Sequence, residues 1–377
     1  MNCVPSDRAA HDRRVAPDVT GMSATRVHRA QTAPRLGRRA IVTMGMFDGM
    51  HRAHQQLVGS TVRLAHRLRG LSVAITFDPD PHVVVNRARM QPSLMPLDAR
   101  LAHLAALGID VIWVIPFTRP FSRMTAEQFV RRVLVRRLHA AVLVVGEQFM
   151  FGRNRRGDLT VLRAVSAAHG LAVRPIREIR LGGAAISSSR IRTMLAAGRL
   201  AEAARLLGRP PVLYGVVERG AGRGRRLGFP TANLRLTSQV LPPQGVYAVM
   251  VHLRHEGRAR PGVMNLGSRP TFGDGPLTCE VHLPSFSGSL LGQSISVSLL
   301  GWLRHERCFA TLQELTRHIR RDLIRARRAK ICRDTGAEQR IQKAGLGSGE
   351  VGERRQHGID AGDRGHGERI AESRSHI

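Results

Sequence analysis

Residues 40–54 read Ala40-Ile41-Val42-Thr43-Met44-Gly45-Met46-Phe47-Asp48-Gly49-Met50-His51-Arg52-Ala53-His54. The apolar, partly β-branched start predicts a buried strand, Gly49 permits a tight turn after it, and a helical pattern follows. His51 and His54 are three residues apart, so a helix that begins here carries both imidazoles on one face. A helix N-terminus supplies free amides and partial positive charge. This stretch therefore predicts a strand, a turn and a helix around an anion site, although such a histidine pair alone also fits surface, structural or metal-binding histidines.

The same alternation of strand and helix continues along the first half of the chain. Apolar runs recur at Ala40–Met46, Leu71–Phe77, Val111–Phe117, Ala141–Gly146 and Leu171–Ile176. Helical patterns lie between them at Gln55–Leu68, Leu97–Leu107, Ala126–Leu138 and Leu159–His169. This order predicts a Rossmann-like α/β domain with a parallel sheet and helices on both faces. Ligands bind beyond the carboxyl ends of the strands in such sheets, which is where the two histidines fall.

The pattern changes at Arg209-Pro210-Pro211. Short strands with frequent turns follow at Val212–Val217, Val246–Arg254, Gly262–Leu266, Thr278–Leu283 and Ser294–Leu299, and a last helix is predicted near Leu312–Ala329. They indicate a small antiparallel β-barrel with a terminal helix. We therefore expect an α/β domain at 38–208 and a barrel domain at 209–331. The segments 1–37 and 332–377 are polar and aperiodic, and we expect both to be disordered.

Composition limits the classes of function. The formal net charge is +31, but all of the 59 basic residues except Lys330 and Lys343 are arginine, and they are spread along the 377 residues. That skew indicates a coding bias, and an aromatic share of 4% argues against a base-stacking surface. No apolar run approaches the roughly 20 residues that cross a bilayer. We expect a cytoplasmic protein with no membrane or specific nucleic-acid partner.

The four cysteines carry no metal or disulfide pattern. Cys3, Cys279, Cys308 and Cys332 are isolated from one another and show no CxxC spacing. Neither a zinc knuckle nor a disulfide framework is indicated, and reduced thiols are expected.

A second stretch suited to phosphate lies far from the histidines, at Ile186-Ser187-Ser188-Ser189-Arg190-Ile191-Arg192. Ser187 can cap a following helix, which places hydroxyls and arginines at another helix start. Taken alone, the stretch is equally an ordinary serine cap with solvated arginines.

A third stretch combines the glycine-rich loop Gly220–Arg226 with Gly228-Phe229-Pro230-Thr231-Ala232-Asn233-Leu234. Neither the Walker A pattern nor a Rossmann fingerprint is present, and the loop alone also fits an RGG-like nucleic-acid segment. In an extended segment Thr231 and Asn233 project to the same side. Their oxygens, with phosphate oxygens and waters, suit Mg²⁺.

A candidate general base follows in Thr278-Cys279-Glu280-Val281-His282-Leu283. Strand alternation sends Glu280 and His282 to one face, and Cys279, Val281 and Leu283 to the other. A carboxylate on the ligand side can take the proton from a hydroxyl that attacks a phosphate. A lone strand glutamate is otherwise a solvated charge.

Together these motifs resemble a known family. Gly45–His51 with His54 and Ile186–Arg192 are similar to the HxGH nucleotidyltransferases, and the chain from about residue 39 to 330 resembles the bacterial bifunctional riboflavin kinase/FMN adenylyltransferases. Further matching runs are Gly245-Val246-Tyr247-Ala248 and Asn265-Leu266-Gly267-Ser268-Arg269-Pro270-Thr271-Phe272. The resemblance implies that the α/β domain joins the AMP of ATP to FMN with Mg²⁺. It also implies that a riboflavin-kinase barrel phosphorylates riboflavin.

The resemblance also implies roles for residues of this sequence. His51, His54 and Glu280 would be catalytic, with Glu280 the base for the riboflavin 5′-hydroxyl, and Thr231 and Asn233 would bind the metal with the nucleotide. Phosphate or nucleotide contacts are implied for Gly45, Phe47, Asp48, Gly49, Ser187, Ser188, Arg190, Gly220, Gly222, Arg223, Gly224 and Pro230. Flavin contacts are implied for Phe149, Asn265 and Arg269, the last of which equally fits a structural ion pair.

The sequence departs from the family pattern in its first domain. Ala53 stands where the family usually has glycine between the histidines, Asp78-Pro79-Asp80-Pro81 replaces Glu-Pro-His-Pro, and Gln148 and Met150 replace an acidic residue and an arginine. Two alternatives therefore stay open: a riboflavin kinase with an impaired adenylyltransferase half, and a basic RNA-binding protein. The sequence gives no oligomeric state.

Overall fold

The computed structural model describes residues 13–14, 25–86, 91–152, 157–220, 231–253, 259–267, 277–284 and 286–307, with positions 314, 317, 318, 321, 322 and 324. Seven strands form the first sheet in the order β1-β2-β5-β4-β3-β6-β7, all parallel except that β1 pairs antiparallel with β2. They are β1 Arg13–Arg14, β2 Arg26–Arg29, β3 Ala40–Met44, β4 Leu71–Asp78, β5 Val111–Pro116, β6 Ala140–Gly146 and β7 Ala172–Ile176. The predicted parallel α/β domain is confirmed.

Helices lie between these strands and after the last of them. Between the strands are α1 Arg52–Arg67, α2 Pro81–Val85, α3 Leu97–Ala106, α4 Arg119–Ser122, α5 Ala126–Phe129 and α6 Leu159–Ala167, and the sheet is followed by α7 Ser188–Ala196 and α8 Leu200–Leu207. Two of these helices begin at residues that favour the N-cap position: Asp158 caps α6 and Ser187 caps α7 through side-chain oxygens. Because β4 and β6 lie on opposite sides of β3, a crevice opens beyond its carboxyl end. A two-stranded ribbon of β8 Arg180–Leu181 and β9 Ala184–Ala185 precedes α7.

The second half is a closed antiparallel barrel of six strands, as predicted, in the order β10-β11-β14-β13-β12-β15. The strands are β10 Val212–Glu218, β11 Thr231–Leu236, β12 Gly245–Leu253, β13 Ala259–Gly267, β14 Thr278–His282 and β15 Ser294–Arg304. Alternate residues such as Val249, Met264 and Val281 fill the interior. Closure removes sheet edges, so each of these six strands pairs on both sides.

The structure corrects several sequence expectations. Residues 1–37 were expected to be disordered, but Arg26–Arg29 forms β2, with Val27 buried against α/β core residues. Strand β11 was not predicted, because its apolar positions are few. The predicted helix Ala126–Leu138 is α-helical only to Phe129 and continues as a π-helical turn over Val130–Val135.

At the C-terminus, the six described positions between 314 and 324 are helical, which agrees with the predicted last helix. The predicted tail 332–377 lies outside the described residues. Among the described residues, no helix combines the length and apolar character that a bilayer crossing needs.

The two halves share a hydrophobic core. One cluster joins apolar residues of α7 and α8, among them Ile191, Leu195 and Leu206, to barrel residues such as Tyr247 and Val281. A backbone hydrogen bond from Val240 N to Ser93 O (2.9 Å) adds a polar tie. The last two helices of the α/β half therefore pack into the core of the barrel half.

Candidate active sites

The first site is built on the turn between β3 and α1. Phe47, Gly49 and Met50 all have positive φ, at 50°, 78° and 38°. Glycine suits position 49 for two reasons: its φ is positive, and a Cβ at this position would lie 2.6 Å from Leu94 Cδ1. Phe47 and Met50 are fully buried, and this burial holds the unusual backbone in place. The turn therefore presents the start of α1 at the carboxyl edge of the sheet, as the sequence predicted.

Asp48 joins the two distant phosphate motifs. Its buried carboxylate accepts from Leu94 N (3.0 Å) and Met95 N (3.2 Å) and pairs with Arg192 Nη2 at 2.5 Å. Its backbone carbonyl accepts from Ser188 Oγ at 2.8 Å. Asp48 was predicted to contact phosphate, but these protein donors occupy its carboxylate, so its geometry fits a structural tie between the motifs. Arg192, which the sequence analysis placed among the arginines of the second phosphate stretch, is the partner of Asp48 instead.

His51 and His54 come together as predicted. His51 caps α1, its Nδ1 accepts from His54 N at 3.4 Å, and the two rings stack with centroids 3.6 Å apart. Because Nδ1 is the acceptor, the proton of the neutral His51 ring lies on Nε2. Burial, with a smaller contribution from the Arg209 guanidinium, lowers the pKa of His51 to about 4. Burial also lowers the pKa of His54, and His51 and Arg100 lower it further. Both rings are therefore neutral hydrogen-bonding groups near pH 7.

The serine and arginine motif lies beside the turn. Ser187 is exposed, and its side chain accepts from Arg190 N at 3.3 Å. The Arg190 guanidinium donates to the carbonyls of Ala184 (2.9 Å) and Ala185 (3.3 Å), at the ribbon before α7. With Ser188 bound to Asp48, the helix start is fixed against the histidine turn, while the Ser187 side chain stays accessible to solvent. Phosphate contacts of these residues remain a prediction.

A buried arginine also lies in this region, and the sequence did not single it out. Arg100 in α3 is 5% exposed, contacts Thr76 Oγ1 at 3.4 Å, and its Nε has no hydrogen-bond partner among the described residues. Burial lowers its pKa, while the carboxylates of Asp48, Asp80 and Asp78 raise it. Its charge also acts on His54. Arg100 therefore adds positive charge beside the histidines.

Three of the departures, Ala53, Gln148 and Met150, lie within a regular helix or at the surface, whereas Asp80 is half-buried and caps α2. Ala53 lies inside α1, with no positive φ, so the side-chain methyl meets no backbone strain. Gln148 and Met150 are both exposed. Phe149, predicted to bind flavin, stacks on Phe151 with centroids 5.4 Å apart and packs at the edge of the α/β core. Its contact with flavin remains a prediction.

The second site is a row of polar residues on the outer face of the barrel. In the strand register, Asn233 of β11 and Asn265 of β13 both pair with Glu280 of β14. Directly paired residues share a face. Cys279 and Val281 on either side of Glu280 are buried in the interior, so Glu280 points outward, as the alternation predicted. Thr231 pairs with His282, one step from the row on the same face.

The residues proposed for Mg²⁺ fit a metal held with a nucleotide. A Cβ on Gly220 would lie 2.0 Å from Asn233 Nδ2, so glycine at this position leaves room for the carboxamide. Thr231 and Asn233 offer a hydroxyl and a carboxamide oxygen, which are hard ligands that magnesium takes together with phosphate oxygens and waters. In the described part of the chain, no cluster of three His, Cys, Asp or Glu residues forms a protein-only metal cage.

Asn265 has a partner that the sequence did not indicate. Its Nδ2 donates to Glu306 Oε1 at 2.9 Å, while its buried Oδ1 has no partner among the described residues. Glu306 also approaches Gly267, where a Cβ would lie 2.0 Å from its Oε2. The predicted contacts Gly222, Arg223, Gly224, Pro230 and Arg269 lie outside the described residues.

Comparison with known proteins matches both halves. A family model for FAD synthetase covers residues 34–190, and one for riboflavin kinase covers residues 207–330. Bifunctional riboflavin kinase/FMN adenylyltransferases are 37% identical in Escherichia coli K12, over 80% of this chain and 95% of that protein, and 33% identical in Bacillus subtilis 168, over 75% and 90%. A Streptococcus pneumoniae crystal structure described as a macrolide-efflux protein has 25% identity and a TM-score of 0.70, covering 80% of this chain and 98% of that one. The chain belongs to the family of bifunctional riboflavin kinases/FMN adenylyltransferases.

Proposed function

We propose that this chain performs both reactions of its family, each in its own half. The barrel half transfers the γ-phosphoryl group of ATP to riboflavin, and the α/β half transfers the adenylyl group of a second ATP to the resulting FMN. The observation that carries the proposal is the barrel register, which sets Glu280 between the carboxamides of Asn233 and Asn265 on one outer face.

In the kinase half we assign Glu280 as the general base. It takes the proton of the riboflavin 5′-hydroxyl as that oxygen attacks the γ-phosphorus of ATP, and ADP leaves. General-base help contributes about 10²–10⁴-fold, and positioning supplies much of the rest. Thr231 and Asn233 would hold Mg²⁺, which when bound neutralises phosphate charge. The hydrogen bond from Asn265 to Glu306 fixes the amide beside the base.

In the adenylyltransferase half, a phosphate oxygen of FMN attacks the α-phosphorus of ATP and pyrophosphate leaves, without a covalent enzyme intermediate. His51 donates a hydrogen bond from Nε2 to an α-phosphate oxygen, because its Nδ1 is already an acceptor within the turn. The ring of His54 lies 3.6 Å away and supports this orientation. The buried charge of Arg100 and the capped start of α7 add attraction for phosphate.

Two alternatives lead to different products. A kinase with an impaired adenylyltransferase half was suggested by the departures at Ala53, Asp80, Gln148 and Met150; the helical setting of Ala53 argues against that alternative at this one position. An RNA-binding protein would bind RNA with steep salt dependence and turn over no flavin. We propose a cytoplasmic enzyme without a specific nucleic-acid partner.

The test is chromatographic separation of flavins after the purified protein is incubated with riboflavin, ATP and Mg²⁺. FMN followed by FAD supports both assignments. FMN without FAD supports the impaired alternative. Absence of any flavin product contradicts the proposal, and salt-dependent RNA binding would then favour the RNA-binding hypothesis.

A further inference from the structure

The segment that joins the two halves contacts the turn of the adenylyltransferase site. Arg209 follows the last helix cap, Gly208, and its guanidinium donates to Gly49 O (Nη2, 3.0 Å) and Met50 O (Nη1, 3.2 Å). Gln55 Nε2 donates to Met50 O at 2.8 Å and to Leu207 O at 2.9 Å. The two peptide carbonyls immediately before His51 are therefore held by the linker.

A barrel residue supports the linker arginine. Tyr214 in β10 lies beside Arg209, and the phenol and the guanidinium interact electrostatically. The Tyr214 ring also packs against the α/β core cluster that contains Phe47 and Met50. One continuous set of contacts thus runs from the first barrel strand, through Arg209, to the turn that carries His51.

Among the described residues, no acidic side chain pairs with Arg209. Its contacts among the described residues are two carbonyls and a phenol, and its Nε has no partner there. Burial lowers its pKa. A cation kept in such surroundings is costly for stability alone. It is instead well suited to a site whose ligand is a polyphosphate anion.

We propose that Arg209 is a positioning residue for adenylyl transfer, supported by Tyr214, so that the barrel half completes the adenylyltransferase site. This inference rests on the proposed function. Arg209 binds the carbonyl oxygens of Gly49 and Met50 and so keeps the negative ends of these peptide dipoles directed toward the linker. The same contacts fix the backbone orientation of His51, the residue that caps α1. The phosphates of ATP then meet the imidazole and the first helix amides.

The test compares Arg209→Met, Arg209→Lys and Tyr214→Phe with the parent chain, using FMN with ATP for one reaction and riboflavin with ATP for the other. Misplaced catalytic groups cost up to about 100-fold. We expect kcat for FAD formation to fall about 10–100-fold in Arg209→Met. The KM for FMN and the rate of riboflavin phosphorylation should stay within about twofold. Arg209→Lys, which keeps the charge, recovers part of the rate, and Tyr214→Phe loses less.

Unchanged FAD formation in Arg209→Met overturns the inference. If this variant instead loses both activities together, Tyr214→Phe decides, because it removes only one hydroxyl. A selective loss of adenylyl transfer in Tyr214→Phe supports the inference, whereas an equal loss of both activities or no change overturns it.

An NMR titration of the His51 ring separates this inference from the proposed function, because it needs no turnover. Parent protein that makes no FAD contradicts the proposed function. Removal of the Arg209 charge should still raise the pKa of His51 from about 4, because Arg209 is the second cause of that depression after burial. An unchanged His51 pKa overturns the inference on its own.

Discussion

The buried ion pair between Asp48 and Arg192 allows a quantitative test of the first site. The side chains are 4% and 18% exposed, and the carboxylate also accepts from two backbone amides. Removing one partner of a buried pair costs about 3–5 kcal/mol, but Asp48→Asn keeps an oxygen for the amides, so we expect a loss of about 2–3 kcal/mol. For a unit of 150–250 residues, 1 kcal/mol shifts Tm by about 2–4 °C. The variant should therefore melt about 4–12 °C lower by calorimetry.

Asp98→Asn is the matched control, because it makes the same chemical change in an exposed pair. Asp98 and Arg29 are 88% and 50% exposed, and such pairs contribute about 0–1 kcal/mol. At 25 °C, Asp48→Asn should also lose FAD formation by at least about tenfold while it still phosphorylates riboflavin. Equal melting shifts in the two variants, or parent-like FAD formation by Asp48→Asn, would refute the assignment of Asp48 as the tie between the motifs.

Four further predictions follow from the same geometry. Glu280→Gln should abolish FMN production and leave FMN adenylylation nearly intact; normal riboflavin phosphorylation by this variant would show that the base lies elsewhere. His54→Ala should lose FAD formation only, and loss of both activities would instead indicate damage to the fold. Burial, with the Glu280 charge, raises the pKa of the Cys279 thiol to about 12, so iodoacetamide at pH 8 should label this residue only after denaturation, as measured by peptide mass spectrometry. The pKa values of His51 and His103 are both lowered to about 4, mainly by burial and to a smaller extent by the Arg209 charge. The unfolded chain therefore binds more protons between pH 6.5 and 4, and the free energy of unfolding should fall across that window as pH falls, by roughly 3 kcal/mol for His51; urea titrations that give a flat profile would contradict this.

Periodicity predicted the parts of the fold that bury one clear face. Five strands of the parallel sheet and five of the barrel follow from apolar runs, and the outward direction of Glu280 follows from the alternation around it. Strand β2 escaped prediction because Val27 is the one apolar residue in Arg-Val-His-Arg, and its place is set by pairing with β5. Strand β11 alternates the polar residues Thr231, Asn233 and Arg235 with few large apolar ones, so it lacks the apolar run by which the other barrel strands were predicted.

The site itself could be predicted only as separate motifs. The histidine turn and the Ser187 cap follow from local sequence, because each is formed by residues within a few positions of one another. Their connection is not local: Asp48 and Arg192 are 144 residues apart, and Arg209 reaches Met50 over 159. Among so many arginines, no sequence signal distinguishes the buried Arg100 or the partly buried Arg209 from solvated ones. Only the tertiary structure selects them.

The core shared by α7, α8 and the barrel has a consequence for how the protein can be divided. The change of pattern at Arg209-Pro210-Pro211 looks like a natural cleavage point, yet a fragment that ends there would expose Leu200, Leu206 and Leu207 to water. Separately expressed halves should therefore aggregate or need each other in trans. Because the two halves share this core, we expect them to unfold together in the intact chain. A destabilising mutation in either half should therefore lower the amount of both activities, and with it the cellular supply of both flavin cofactors.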